Sequence, residues 1–133
     1  MKKPNAIIVG GTGQFGIILS KQLLKKKFKI IVTTRSLKKA KEKFNNKKIY
    51  LKKLNILSKE QIKKLLLEFK PKLIFYLAGQ SSPGKSFYCK KETYYSNFIG
   101  CRNFLETLQE NKISSKFINF SSCEIYGNFK KKN

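Results

Sequence analysis

Apolar residues arrive along this chain in short unbroken bursts, separated by stretches of helical periodicity. Ile7-Ile8-Val9, Ile30-Ile31-Val32 and Leu73-Ile74-Phe75-Tyr76-Leu77-Ala78 are consecutive apolar runs, the pattern of strands buried on both faces. They predict strands over residues 5–9, 29–34 and 73–78. Residues 48–54 read as a further strand, with Ile49 and Leu51 on one face, and residues 116–120 as a fifth. Between them, Phe15, Ile18, Leu19, Gln22 and Leu23 form the stripe of a helix that ends in a basic turn at residues 25–27. Ser36 caps a short helix over residues 37–45. Ser58 with Gln61 three residues later makes a capping box. It opens a helix whose buried stripe is Ile62, Leu65, Leu66 and Phe69, and Pro71 stops it. A long helix over residues 92–111 is expected to turn Phe98, Cys101, Phe104, Leu105 and Leu108 inward. Gly100 inside it costs about 1 kcal/mol against Ala, which points to close packing against a neighbour.

Strands alternating with helices, without a hairpin signal, predict an α/β fold: a Rossmann-type doubly wound parallel sheet with helices on both faces. Right-handed crossovers favour the strand order 3-2-1-4-5. The 133 residues read as one domain.

The first strand runs into Gly10-Gly11-Thr12-Gly13-Gln14-Phe15-Gly16. Three spaced glycines alone describe any loop. Placed between a strand and a helix, they describe a phosphate turn. Gly10 suits a tight turn with positive φ. Gly13 lets bare backbone approach a diphosphate, and Gly16 lets the helix start close to the strand. The free N–H groups and positive dipole end of that helix favour an anion. The second strand ends in Thr33-Thr34-Arg35-Ser36 with no acid. An acid there would bond the ribose hydroxyls of NAD, whereas Arg35 accommodates the extra phosphate of NADP. NADP is therefore the expected cofactor, ahead of NAD. The small polar loop Gly79-Gln80-Ser81-Ser82-Pro83-Gly84 follows the fourth strand, where α/β sheets place their ligands.

Charge is the unusual feature: 30 Lys and Arg against 7 Asp and Glu, a net +23. That suggests a polyanion partner. Yet only Arg35 and Arg102 are arginines, and the lysines are spread over nearly every solvent-facing stretch. Readers of phosphates and bases favour Arg forks, so the charge reads as a solvated surface with no specific nucleic-acid partner. No histidine is present, and Cys89, Cys101 and Cys123 form no CxxC pair. Ser-His and Cys-His dyads are excluded, no metal site is expected, and reduced thiols fit a cytoplasmic protein. No apolar run has the roughly 20 residues that cross a bilayer, so no membrane partner is expected. The burst at residues 7–9 is too short, and too soon broken by glycines, for a signal peptide.

Taken together, these segments resemble the extended short-chain dehydrogenase/reductase superfamily of NAD-dependent epimerases and dehydratases, most of all the GDP-mannose 4,6-dehydratases. The resemblance is carried by the glycine turn, Arg35, Asn55-Ile56-Leu57, Leu77-Ala78-Gly79-Gln80-Ser81 and Ser86-Phe87. It continues through Asn97, Gly100, Asn103-Phe104-Leu105-Glu106 and Ser121-Ser122-Cys123-Glu124-Ile125-Tyr126-Gly127. It implies that Thr12, Gly13, Gln14 and Phe15 wrap the diphosphate and that Arg35 takes the 2′-phosphate. Asn55 and Ile56 would contact adenine, and Leu77, Ala78, Gly79, Gln80 and Ser81 the ribose and nicotinamide side. The implied reaction oxidises a nucleotide sugar, GDP-mannose, at C4, eliminates water across C5 and C6, and returns the hydride to C6. Ser122 stands where a hydroxyl polarises the sugar, and Glu124 where a carboxylate serves as acid and base.

The chain departs from the family pattern at several points. Asn55 replaces the usual Asp, Glu92 a Tyr, and Ser122 the usual Thr. The family's Tyr-x-x-x-Lys follows the Glu by twenty or more residues. Tyr126 and Lys130 have that spacing but belong to the preceding motif and to the basic end. The chain thus reads as the cofactor-binding half of a longer enzyme, homo-oligomeric in its full form, with the sugar-nucleotide-binding domain absent. The alternatives are a dinucleotide-binding module without catalysis, or another sugar-nucleotide epimerase or reductase.

Overall fold

The computed structural model describes residues 4–127. Five strands form one sheet: β1 (Asn5–Val9), β2 (Lys29–Thr34), β3 (Ile49–Lys53), β4 (Leu73–Tyr76) and β5 (Lys116–Asn119). Their order is β3-β2-β1-β4-β5, and every pairing is parallel, with Ile7 opposite Ile31 on one side and Ile74 on the other. Alternation along β1 divides the core. Ile7 and Val9 face one layer with Ile62, Leu66, Tyr76 and Phe104. Ala6 and Ile8 face the other with Leu23, Ile30 and Val32. A strand that is apolar at every position can serve both layers, so the sheet carries helices on both faces.

Helices α1 (Gln14–Lys25) and α2 (Leu37–Lys43) follow β1 and β2, and α3 (Lys59–Phe69) follows β3. The Ser36 and Ser58 side chains accept from the Lys39 and Gln61 amides, as expected of N-caps. The capping box is only half formed, because Gln61 Oε1 accepts from the Asn55 amide at 3.0 Å. It braces the loop after β3 in place of its own helix end. Lys70, with φ of 41°, closes α3 just before Pro71.

Two buried faces differ from expectation. In α1, Gly16, Ser20 and Leu23 are buried, while Phe15 is 73% exposed and Ile18 is also exposed. The region expected as one helix over residues 92–111 is α5 (Lys90–Tyr94), a π-helical turn (Tyr95–Ile99) and α6 (Gly100–Glu110), preceded by an unexpected short helix α4 (Pro83–Tyr88). Cys101, Phe104 and Leu108 point inward, but Phe98 and Leu105 point out, and Gly100, Asn103 and Thr107 take the buried places. A Cβ on Gly100 would lie 2.3 Å from the Tyr76 hydroxyl and 2.6 Å from Ile56 Cδ1. That crowding is the close packing its position predicted.

Helices α3 and α6 are tied at the surface. Lys59 Nζ lies 2.5 Å from Glu106 and 3.0 Å from Glu110, and Arg102 Nε lies 2.5 Å from Glu106. Hydrogen bonds from Lys59 and then Arg102 hold the Glu106 carboxyl below its ordinary value of 4.5. A depressed carboxyl contributes stability above its unfolded value and loses it as pH falls through the lower folded one. Glu106→Gln is therefore expected to lower the neutral urea midpoint slightly. It should also make that midpoint fall less as the pH drops through and below the carboxyl's ordinary value. An acid limb identical to that of the parent chain would remove Glu106 from the linkage.

Candidate functional site

All five strands point the same way, so their carboxyl ends share one edge of the sheet. The chain leaves β1 towards β2 on one side and returns to β4 on the other, which opens a crevice at that edge. A cleft of about 820 Å³ lies there. Gly10, Thr12, Arg35, Asn55, Ile56, Leu77, Ala78, Gly79 and Gln80 line it, nine positions singled out from sequence on four different loops.

The glycines have separate causes. Gly10 has φ of +70°, and a Cβ there would sit 2.7 Å from Ala78 Cα, so the turn after β1 can approach the loop after β4. Gly13 is the N-cap of α1, extended and open, and a Cβ there would meet nothing within 4 Å. No side chain caps α1 there. Gly16 is buried beneath the turn, where a Cβ would lie 2.1 Å from the Gly11 carbonyl oxygen. Gln14 and Phe15 occupy the first turn of α1 and are exposed; neither they, Gly13, Gly16 nor Ser81 line the cleft.

Side chains to which the sequence pattern gives no role hold these loops. Asn97, in the π-helical turn, accepts from the Gln80 amide at 2.7 Å and donates to the Gln80 carbonyl at 3.3 Å. Asn103 donates to the Ile56 carbonyl at 3.1 Å. The Tyr76 hydroxyl donates to the Ser96 carbonyl at 2.6 Å, and burial pushes its phenol well above the ordinary range. Lys43 Nζ donates to the Thr12 carbonyl at 2.9 Å, tying α2 to the glycine turn. Thr33, Thr34, Ser36, Lys39, Glu92, Tyr95 and Ser96 also line the cleft. Asn97 and Asn103 are visible in the sequence as members of the helix motif, but their bonds to loops 17 and 47 residues away have no local signal.

The second group of expected residues follows β5. Ser122 is exposed at the same sheet edge, and its carbonyl accepts from the Ile125 amide at 3.3 Å; it does not line the cleft. Glu124 falls in a 3-10 turn (Cys123–Tyr126), with its side chain outside the described part of the structure, as is Lys130. Among the described residues no group of three or more His, Cys, Asp or Glu is placed to hold a metal, and no helix is long and apolar enough to cross a membrane.

A parallel sheet in this order, with a glycine turn at its switch point, has the form of a dinucleotide-binding α/β domain. The chain belongs to the NAD dependent epimerase/dehydratase family, whose model matches residues 6–133. It is 23% identical to UDP-glucose 4-epimerase of Drosophila melanogaster over 140 residues, covering 96% of this chain and 39% of that protein. Among solved structures, it is similar to UDP-glucose 4-epimerase from Brucella ovis in complex with NAD, with a TM-score of 0.81 and 19% identity over 97% of this chain and 39% of that one. It is also similar to the Thermotoga maritima enzyme with UDP-glucose, with a TM-score of 0.81 and 25% identity over 95% and 41%. The chain thus spans about two-fifths of the length of these relatives.

Proposed function

We propose that this chain supplies the nicotinamide-dinucleotide-binding part of an enzyme that remodels the sugar of a nucleotide sugar. The observation that supports this most is the cradle at residues 10–13. Gly10 folds the turn back on Ala78, and Gly13 leaves open space before the uncapped start of α1. A diphosphate fits such a cradle because it needs N–H donors without intervening side chains.

In this reading Gly10, Thr12, Gly13, Gln14 and Phe15 present backbone to the diphosphate, and Gly16 keeps α1 close enough to do so. Arg35, with Lys39 beside it on the cleft wall, takes the 2′-phosphate of NADP. Asn55 and Ile56 meet adenine, and Leu77, Ala78, Gly79, Gln80 and Ser81 flank the ribose and nicotinamide. When bound, the dinucleotide supplies a hydride acceptor and donor. Ser122 then polarises the sugar hydroxyl, and Glu124 takes the C5 proton that a C4 ketone acidifies, which is the course of a GDP-mannose 4,6-dehydratase. A second reading, a UDP-glucose 4-epimerase using NAD, is supported by the names of the relatives.

Titration with the oxidised nucleotides NADP and NAD, followed by incubation with GDP-mannose and UDP-glucose, tests both readings. Loss of water to a 4-keto-6-deoxy sugar supports the dehydratase. Inversion at C4 of UDP-glucose supports the epimerase. Turnover is sought in a form extended to the length of the relatives; nucleotide binding without turnover even there leaves a non-catalytic module, and binding of neither nucleotide overturns the proposal. Arg35→Ala is expected to weaken NADP binding by about 1.5–3 kcal/mol, the range for hydrogen bonds to charged groups, with NAD affected less. Equal losses for both nucleotides would take the 2′-phosphate away from Arg35.

A further inference from the structure

Arg35 leaves the end of β2, and Glu92 lies in α5, 57 residues later. Across the cleft Arg35 Nη1 and Glu92 Oε1 approach to 3.3 Å, and both residues line it. Their side chains are 86% and 53% exposed, so the pair does little for stability. Its effect is on the guanidinium itself, one of whose donors the carboxylate takes. Glu92 is also the one acid among the described residues of the cleft wall, where Arg35, Lys39 and Lys43 are the cations.

A carboxylate on a guanidinium occupies the donors that a phosphate would use and repels the phosphate's charge. It does not oppose a ribose diol, whose hydroxyls can donate to the carboxylate. We propose that Glu92 is a specificity-determining residue, which competes with the 2′-phosphate for Arg35 and so tempers the preference for NADP that Arg35 alone would give. This rests on the reading of the cleft as a dinucleotide site. Arg35 alone reads as an NADP residue; paired with Glu92, it becomes one half of a device that sets the ratio between two cofactors.

The test is titration of NADPH and NADH, followed by nucleotide fluorescence, on the parent chain, Glu92→Gln, Arg35→Ala and the double variant. Glu92→Gln is expected to tighten NADPH roughly threefold to fivefold and to move NADH by less than about twofold, as release of the guanidinium from one exposed ion pair predicts. In the Arg35→Ala background the NADPH gain should shrink to less than about twofold, because the competition then has no object. An unchanged NADPH to NADH ratio in Glu92→Gln would overturn the proposal, as would a full gain that persists without Arg35. If the parent chain binds neither nucleotide, the dinucleotide reading itself fails. If it binds them and the ratio does not move, only the role of Glu92 falls.

Discussion

Gly16→Ala is expected to unseat α1 and to abolish nucleotide binding with it. The added methyl would lie 2.1 Å from the Gly11 carbonyl oxygen and 2.5 Å from both the carbonyl carbon and the Cα of Gly11. These are backbone atoms, so no rotamer change relieves the clash, and either the helix or the turn must move. Overpacking of a core typically costs about 1–3 kcal/mol, and a backbone collision belongs at or above the top of that range. Against a total stability of about 5–15 kcal/mol for a domain, the variant should show a clearly lowered urea midpoint. Gly13→Ala is the control. Its φ of −78° and ψ of 174° suit any residue, and the space around it is open. It should keep the parent midpoint yet still lose nucleotide affinity. Parent-like stability in Gly16→Ala would mean that α1 does not sit as closely as described.

The second large effect is expected at Phe104. Its side chain is fully buried, edge-on to Tyr76 at 5.8 Å and tilted against Phe117 at 6.3 Å between ring centroids. It fills the layer between α6 and the sheet. Phe104→Ala removes that contact and leaves a cavity, at a cost of about 3–5 kcal/mol. Leu105→Ala, one residue on, removes an exposed side chain and should stay within about 0.5 kcal/mol of the parent. Urea unfolding of both variants decides the orientation of α6. Comparable losses would mean that Leu105 packs inward after all.

That contrast also shows what can and cannot be read from a sequence. Apolar runs place β1, β2 and β4, apolar positions on one face place β3, and alternation with helices together with the right-handed crossover rule gives the strand order. Ser36 and Ser58 mark helix starts because a side-chain cap is a local contact. Leu23, Cys101, Phe104 and Leu108 are buried as the periodicity expects, but the rest of the inward faces of α1 and α6 escapes it for one shared reason. The pattern turns the largest apolar residues towards the sheet, yet the closest helix packing is made by small ones. Ser20 Oγ donates to the Gly16 carbonyl at 2.7 Å, and Thr107 Oγ1 to the Asn103 carbonyl at 2.6 Å. A hydroxyl satisfied within its own helix can be buried without an unpaired polar atom, so Ser20 and Thr107 look like surface residues and behave as core. Helix α4 is hidden by Pro83-Gly84, which resembles a loop although Pro suits a first helical turn. The placement of the glycine turn, Arg35 and the loop after β4 at one sheet edge is legible, because each directly follows a strand that the apolar pattern marks. The contacts of Glu92, Lys43 and Asn97 are not, because their partners are brought to them only by the finished sheet.

The parallel arrangement carries a consequence for synthesis. β1 occupies the middle of the sheet, and one of its two partners is β4, with Ile7 set opposite Ile74. A ribosome makes the glycine turn and two helices long before residues 73–76 exist. Until then one flank of Ile7, Ile8 and Val9 has no ladder to join, and pairings so distant in sequence form slowly. The nascent chain must carry that sticky half-finished edge until residues 73–76 emerge, a stage at which chaperones guard against aggregation.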